Sequence, residues 1–403
     1  MNKIAIYTIT SALHDKSAIE QASKEFLDSL NIAYTLHGDD FSTYGQAPLN
    51  LIYVRTGGAE GIFKTLLPQL REQSHGTFYL LTSGQSNSLA ASIEILSYLE
   101  QNGLRGEILH GEPAYIAERV TLLMQIEAAR QELAGFRLGV VGQPSDWLIA
   151  SQVDYTQLKT KGIELIDVPM QELLDDFTQA ANNSGEGFAP ASTPEEVRPS
   201  LSDAWRIYHA LGRIVVRHRL QGLTLRCFDL LTSVHNTGCL ALAQLNSEGI
   251  VCSCEGDIPA LLSMAIAQAL TGVTGFQANP SQIDATKGEM ILAHCTIPFN
   301  MVGKYDLLTH FESGIGVGIR GYMPEGPVTI FKASGDLNRY FAAEGELVEN
   351  LSLSTLCRTQ QRIRLNSPDD AAYFLKHPIG NHHIIIPGHC KKQLDELMSY
   401  FKY

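Results

Sequence analysis

Basic residues are scarce in this chain. Its 403 residues include 30 Lys and Arg against 43 Asp and Glu, a formal net charge of −13. So acidic a composition excludes a nucleic-acid backbone or an anionic membrane as partner, because each needs a basic face. A neutral small molecule, a cation or a metal remains compatible with it. Long hydrophobic runs are missing too. No stretch approaches the ~18 uninterrupted apolar residues of a spanning helix. The N-terminal "MNKIAIYTITSALHD" is apolar only briefly and is broken by Thr and Ser, so it reads as a first β-strand and not as a signal peptide. No cysteine precedes Cys227, and the seven present are odd in number. Reduced thiols in a cytoplasmic protein account for this better than a disulfide framework. Cys252 and Cys254 lack a second pair at zinc-site spacing. The Gly314, Gly316, Gly318 series precedes no helical pattern, which rejects a dinucleotide fingerprint.

What is present is strand–helix alternation. "KIAIYTI", "LNLIYVR" and "TFYLLTS" have the continuous apolar character of buried strands. "SAIEQASKEFLDSL", "EGIFKTLLPQLREQ" and "SLAASIEILSYLEQNG" place apolar residues three and four apart, as helices do, and Gly103 stops the last. The pattern predicts a parallel sheet with helices on both faces. A second unit begins with "FRLGVVGQPSDWLIAS" and "GIELIDVP". The Asn-, Ser-, Gly- and Pro-rich stretch 178–200 reads as a lid or a domain connection, and a long helix follows it. Arg213, Arg217 and Arg219 on that helix suit a solvated or subunit-facing surface better than an anion site. Beyond Gly222, "GIGVGIRGYM", "PVTIFKASGDLNRYFAAEGELVEN" and "NHHIIIPGHC" alternate between glycines like antiparallel strands. The expected architecture is α/β: two Rossmann-like parallel-sheet domains, 1–130 and 131–221, then a barrel-like, mainly antiparallel domain, 222–403.

The candidate chemistry lies at strand ends. In "GIVCSCEGDIPALLSM", Asp257 followed by Pro259 is a helix start, with Asp as N-cap. Glu255 has no such structural task, and it stands at the carboxyl end of a strand, where ligands of open α/β sheets bind. "GEMILAHCTIP" presents His294 and Cys295 at the next such end. In "GNHHIIIPGHC", His382 and His383 point to opposite faces if the segment is extended, so at most one faces a given site. Glu255 with one or two histidines makes an oxygen–nitrogen set suited to a divalent ion such as Mn²⁺. Such an ion and a carboxylate base can move a proton between adjacent carbons of a sugar. The glycine-rich "RTGGAEG", Arg55 to Gly61, has free backbone N–H groups suited to hydroxyl or phosphate oxygens. N-capping accounts for Ser86, Asn87 and Ser88.

The segments "LTLRCFDLL", "TGCLALAQLNSEGIVCSCEGDIPALLSM", "LTGVTGFQANPSQID", "LAHCTIP" and "GNHHIIIPGH" together resemble the L-fucose isomerase and L-arabinose isomerase superfamily, in its shorter fucose isomerase-like branch. "TGGAEG" and "NSLAASIEI" resemble it as well. The resemblance implies an aldose–ketose isomerase in which a Glu and an Asp hold Mn²⁺ and exchange protons through an ene-diol, with a His near the C-terminus as third ligand. The Glu falls on Glu255 and the His on His382, so His382 and not His383 is expected to face Glu255. The Asp falls on Asn279, a departure: Asn offers a carbonyl oxygen but can neither take up a proton nor contribute charge. Glu255 and Asn279 are thus the catalytic pair to test, and Glu255, Asn279 and His382 the metal set. Asp257, Asp284 or His294 could compensate for the lost carboxylate. With Arg55, Gly57, Gly58, Asn87 and His294 as the sugar-contacting set, the resemblance implies a homo-oligomer whose sites lie between domains or subunits. The alternatives are a catalytically altered relative (a sugar lyase or epimerase, or a sugar-binding protein without catalysis) and a hinged sugar sensor.

Overall fold

The computed structural model describes residues 3–74, 76–179 and 189–401, and the chain divides into two compact units, 1–128 and 129–403. Part of the stretch expected to act as a lid or connection, 180–188, lies outside the described residues.

The first unit is built on a five-stranded parallel sheet in the order β2-β1-β3-β4-β5. Its strands are β1 Ile4–Ile9, β2 Thr35–Gly38, β3 Leu49–Val54, β4 Phe78–Leu81 and β5 Gly106–Leu109. β1 is buried throughout because both its faces are covered. Ile4 and Ile6 pack with Leu27, Leu30 and Leu123, whereas Ala5, Tyr7 and Ile9 pack with Phe63, Leu67 and Phe78. Alternate residues of one strand therefore feed two helix layers, the arrangement parallel strands require.

The second unit contains a four-stranded parallel sheet in the order β7-β6-β8-β9 and a closed six-stranded barrel in the order β10-β11-β16-β15-β14-β17. The sheet comprises β6 Phe136–Val141, β7 Ile163–Val168, β8 Gly222–Leu225 and β9 Val251–Cys254. The barrel comprises β10 Phe276–Asp284, β11 Glu289–His294, β14 Gly326–Ala333, β15 Tyr340–Asn350, β16 Thr359–Leu365 and β17 His383–Pro387, with β12 Lys304–Leu308 and β13 Gly318–Tyr322 forming a separate hairpin. Every barrel pairing is antiparallel, so the mixed α/β architecture of parallel sheets followed by a mainly antiparallel barrel holds. Arg217 pairs with Glu172 and Asp176, and Arg213 pairs with Asp176, so these two arginines fasten neighbouring helices together.

One junction in this unit positions the site. β9 is an edge strand whose outer peptide groups are buried and would go unpaired. Two side-chain amides complete them. Asn246 donates to Cys252 O at 2.7 Å and accepts from Cys252 N at 2.8 Å. Gln277 of β10 accepts from Cys254 N at 2.7 Å and donates to Cys254 O at 3.4 Å. The second clamp fastens the barrel to the last residue before Glu255. All seven cysteines are free, as the odd count implies, and the Sγ atoms of Cys227 and Cys254 lie 3.0 Å apart beneath this junction.

Candidate metal centre

Glu255 leaves β9 in a left-handed conformation, φ 66°, followed by Gly256 at φ 71°. For a non-glycine residue this costs about 1–2 kcal/mol. The turn is held from outside: Ser145 N donates to Glu255 O at 3.3 Å, and a Cβ on Gly256 would come within 2.7 Å of Gln143 O. Together these contacts aim the Glu255 side chain away from the helix Ile258–Thr271 that begins at once behind it. Its Oε2 accepts from the indole of Trp147 at 2.9 Å, and that ring stands edge-on to Phe228 with centroids 5.1 Å apart.

Two barrel strands supply histidines to the other oxygen. His294 ends β11 and brings Nε2 to 3.5 Å from Glu255 Oε1, with its Nδ1 3.0 Å from Thr296 Oγ1. His382 immediately precedes β17, and its Nε2 lies 3.4 Å from the same Oε1. Its Nδ1 is 2.8 Å from Asp257 Oδ2 and donates to it, since an ionised carboxylate only accepts. The ligand atoms of Glu255, His294 and His382 all lie within 4.8 Å of one another. Each imidazole thus has its far nitrogen engaged and its Nε2 turned inward, an arrangement that fixes a metal-binding tautomer.

Asp257 fills the N-cap role expected of it, accepting from Ala260 N through Oδ1 at 2.8 Å, while Oδ2 supports His382. It is 0% exposed, and the ammonium of Lys332, 1% exposed, stands 3.6 Å from Oδ2. Burial alone would raise the Asp257 carboxyl; the Lys332 charge and the His382 hydrogen bond outweigh it and hold the pKa at about 2. Burial would likewise raise Glu255, but the two facing imidazoles carry it well below the usual carboxylate range. For His382 burial opposes protonation, yet Asp257 and Glu255 raise it to about 9.

These features fit a divalent ion. The donors are one carboxylate oxygen and two imidazole nitrogens, a set that transition metals favour. With the imidazoles neutral, as metal ligands must be, two carboxylates against one ammonium leave a net negative charge that a bound cation would offset. Among the described residues, His382 Nε2 is buried and has no hydrogen-bond partner.

The other sequence-derived residues distribute as follows. Asn279, on β10 opposite Ala293, accepts through Oδ1 from Asn381 Nδ2 at 3.1 Å, beside His382. Of the three residues expected to compensate for it, His294 stands in the cluster and Asp257 stands directly behind it. Asp284 instead caps the β10–β11 turn through Thr286 and Lys287. His383 turns the other way, with its Nδ1 donating to Asn381 O and its ring among Phe341, Tyr373 and Phe374. In the first unit, Arg55 donates through Nε to Thr10 Oγ1 at 2.7 Å. Arg55, Thr10, Ser11, His14 and Asp39 line a cavity of about 520 Å³ at the carboxyl ends of β1 and β3. Gly58 has φ 77°, and a Cβ there would meet Ser11 Oγ at 3.1 Å. Gly57 donates its N–H to Ser86 O, and a Cβ on it would meet that of Asn87 at 3.0 Å. Capping does not account for Asn87: it makes no side-chain cap bond, and both Ser86 and Asn87 are left-handed, at φ 52° and 58°.

Sequence reasoning missed Trp147, Thr296, Lys332 and the outward oxygen of Asp257. Lys332 did leave a signal, a lysine inside the apolar run "VTIFKA" of β14. Trp147 follows β6, so it stands at the same kind of strand end as Glu255.

No protein-family model matches the chain. Among curated proteins it is 23% identical to "Sulfoquinovose isomerase" of Priestia aryabhattai over 332 residues, which is 77% of this chain and 73% of that protein. The protein of the same name from Priestia megaterium (strain ATCC 12872 / QMB1551) matches to the same extent. That of Clostridium sp. (strain MSTE9) is 24% identical over 233 residues, 55% of this chain. The aligned region spans only 50% of the Clostridium protein's own length. The chain is similar, at low identity, to sugar isomerases.

Proposed function

We propose that the chain is an aldose–ketose isomerase that works by ene-diol proton transfer, with Glu255 as the base. The convergence of His294 Nε2 and His382 Nε2 on one oxygen of Glu255 carries the proposal. Glu255, His294 and His382 would hold a divalent ion, which we take to be Mn²⁺ and which when bound would polarise the sugar carbonyl and its neighbouring hydroxyl. Glu255 Oε2, oriented by Trp147 and turned away from the imidazoles, takes the proton from C2 of the open-chain aldose and returns it to C1 of the ene-diol. Asp257 holds His382 in the required tautomer. Asn279 cannot act as an acid or base, so the hydroxyl proton passes from O2 to O1 of the sugar itself. Arg55, Gly57, Gly58 and Asn87 are assigned to sugar hydroxyls, and the working enzyme to a homo-oligomer. Sedimentation velocity checks the latter, and a fully active monomer rejects it.

The name shared by the relatives places a sulfonated hexose first among substrates to try. Purified protein with Mn²⁺ is incubated in D₂O with sulfo-sugars, deoxy-sugars, pentoses and hexoses, and the products are read by NMR. Ketose carrying solvent deuterium is expected for one of them. No interconversion across the panel, or undiminished turnover by a folded Glu255→Gln variant, rejects the proposal. A second reading rests on Asn279: with half the acid/base pair gone, the chain would be an epimerase or lyase on a sugar derivative. Deuterium at C2 without ketose would favour it.

A further inference from the structure

The 129–403 unit contains a cavity of about 530 Å³ whose wall includes Ser151, Asp154, Lys332, Asp336, Arg339 and Gly380. None of these residues was assigned above to the sugar or to the metal. Two of the four charged groups are committed within their own loops. Asp154 accepts from Thr156 N and Gln157 N at the start of the helix Tyr155–Thr160. Asp336 accepts from Ser334 Oγ and from the backbone and side chain of Asn338. Among the described residues Asp154 Oδ2 accepts no hydrogen bond, and the remaining groups with unused capacity are donors. Lys332 Nζ is buried and, among the described residues, has no hydrogen-bond partner, its ion pair with Asp257 spanning 3.6 Å. Among the described residues, neither the Arg339 guanidinium nor the Ser151 hydroxyl forms a hydrogen bond. Gly380 leaves the space between them clear: a Cβ there would lie 3.9 Å from both Lys332 Cε and Ser151 Oγ.

A buried ammonium, an exposed guanidinium and a hydroxyl, none of them hydrogen-bonded within the described residues, surround a cavity large enough for a small metabolite and match the chemistry of an oxyanion. Such a group offers several acceptor oxygens and the opposite charge. We propose that this cavity is a binding site for a small oxyanion, such as phosphate or the sulfonate or carboxylate of a metabolite, held by Lys332, Arg339 and Ser151. A buried ammonium with a single carboxylate neighbour has unused donor capacity, and the anion fills it. Because Lys332 also faces Asp257, which holds His382, the anion site and the metal cluster share one cation.

Titration calorimetry of inorganic phosphate into the full-length protein tests this, with methanesulfonate and acetate as parallel probes to separate the three headgroups. Saturable binding of at least one probe is expected. Arg339→Met should weaken it about tenfold and Ser151→Ala severalfold, while Glu255→Gln leaves it unchanged. No saturable binding of any probe overturns the proposal. So does equal affinity in both cavity variants, or loss of binding in Glu255→Gln alone, which would place the anion at the metal cluster. Arg339 is exposed, so its replacement does not endanger folding. The titration reads no sugar turnover, so its failure and that of the isomerase proposal are distinguishable.

Discussion

At the carboxyl edge of the first parallel sheet the side chains are hydroxyls and one guanidinium, whereas at the same edge of the second they are a carboxylate and, from the barrel, two imidazoles. In the first, Ser11 N donates to Thr56 Oγ1, Thr82 Oγ1 to Ser88 Oγ, and Arg55 to Thr10, beside a cavity whose wall mixes apolar residues with His14, Glu20 and Asp39. In the second, groups that titrate converge on one oxygen atom. A parallel sheet presents only what its own strand-end loops carry. Clamping a closed antiparallel barrel to the edge strand β9 through Gln277 adds the ends of β11 and β17, and those ends carry His294 and His382. The first edge suits holding a polyhydroxylated ligand and the second suits moving protons.

That contrast can be broken experimentally. Glu255→Gln, the largest effect, should lower kcat by about 10³-fold or more with little change in thermal stability. Steady-state kinetics and a melting curve check it, and a large fall in melting temperature would mean that the carboxylate is structural. Next comes the pH response of the two adjacent histidines. Burial, reinforced by the Lys332 charge, lowers His383 to about 3. A base depressed in the folded state contributes stability above about pH 6.5 that is lost as pH falls toward the folded value, by up to about 1.4 kcal/mol per pH unit. His383→Gln should remove that component, seen as a smaller difference between urea midpoints at about pH 7 and about pH 4.5. An unchanged difference would show that His383 is not buried neutral.

Asp257→Asn keeps an N-cap but removes the charge behind His382, and should weaken Mn²⁺ binding by about 10- to 100-fold in calorimetry. Equal affinity would sever Asp257 from the cluster. Asn279→Asp restores an anionic oxygen and should tighten Mn²⁺ by about tenfold; no change would mean that position 279 does not reach the ion. Arg55→Met, the smallest effect, should raise KM severalfold while kcat holds. A selective loss of kcat would move Arg55 from holding to chemistry and erase the contrast between the edges.

Much of this was legible in the sequence, for reasons that differ residue by residue. Glu255 stood out because nothing structural needed a carboxylate there. His382 and His383 were separable as a pair because extended chains alternate, and their rings do face opposite ways. Asp257 was harder: its capping role is real, and it occupies one oxygen while hiding the task of the other. Lys332 sits in a strand whose remaining residues are apolar, and only the fold reveals the buried carboxylate opposite it. Asn87 suits an ordinary cap and a left-handed turn equally well, since asparagine favours both, and the sequence alone does not choose between them. β2 and β5 went unread because they are short and only partly buried, so they carry no periodic signal. β8 and β9 have strand character, but no local pattern says which sheet they join, since pairing is decided by the whole fold.

The backbone of Glu255 has a consequence for how such chains diverge. At φ 66° glycine would sit without strain and asparagine with little, whereas glutamate carries a standing cost. Mutation alone would therefore drift this position toward glycine, gaining about 1 kcal/mol each time it did. Only purifying selection on the carboxylate opposes that drift. Descendants that have abandoned the chemistry should thus be recognisable by Gly or Asn at this one position well before their histidines are lost, since His382 is locked into the core by Asp257 and decays more slowly.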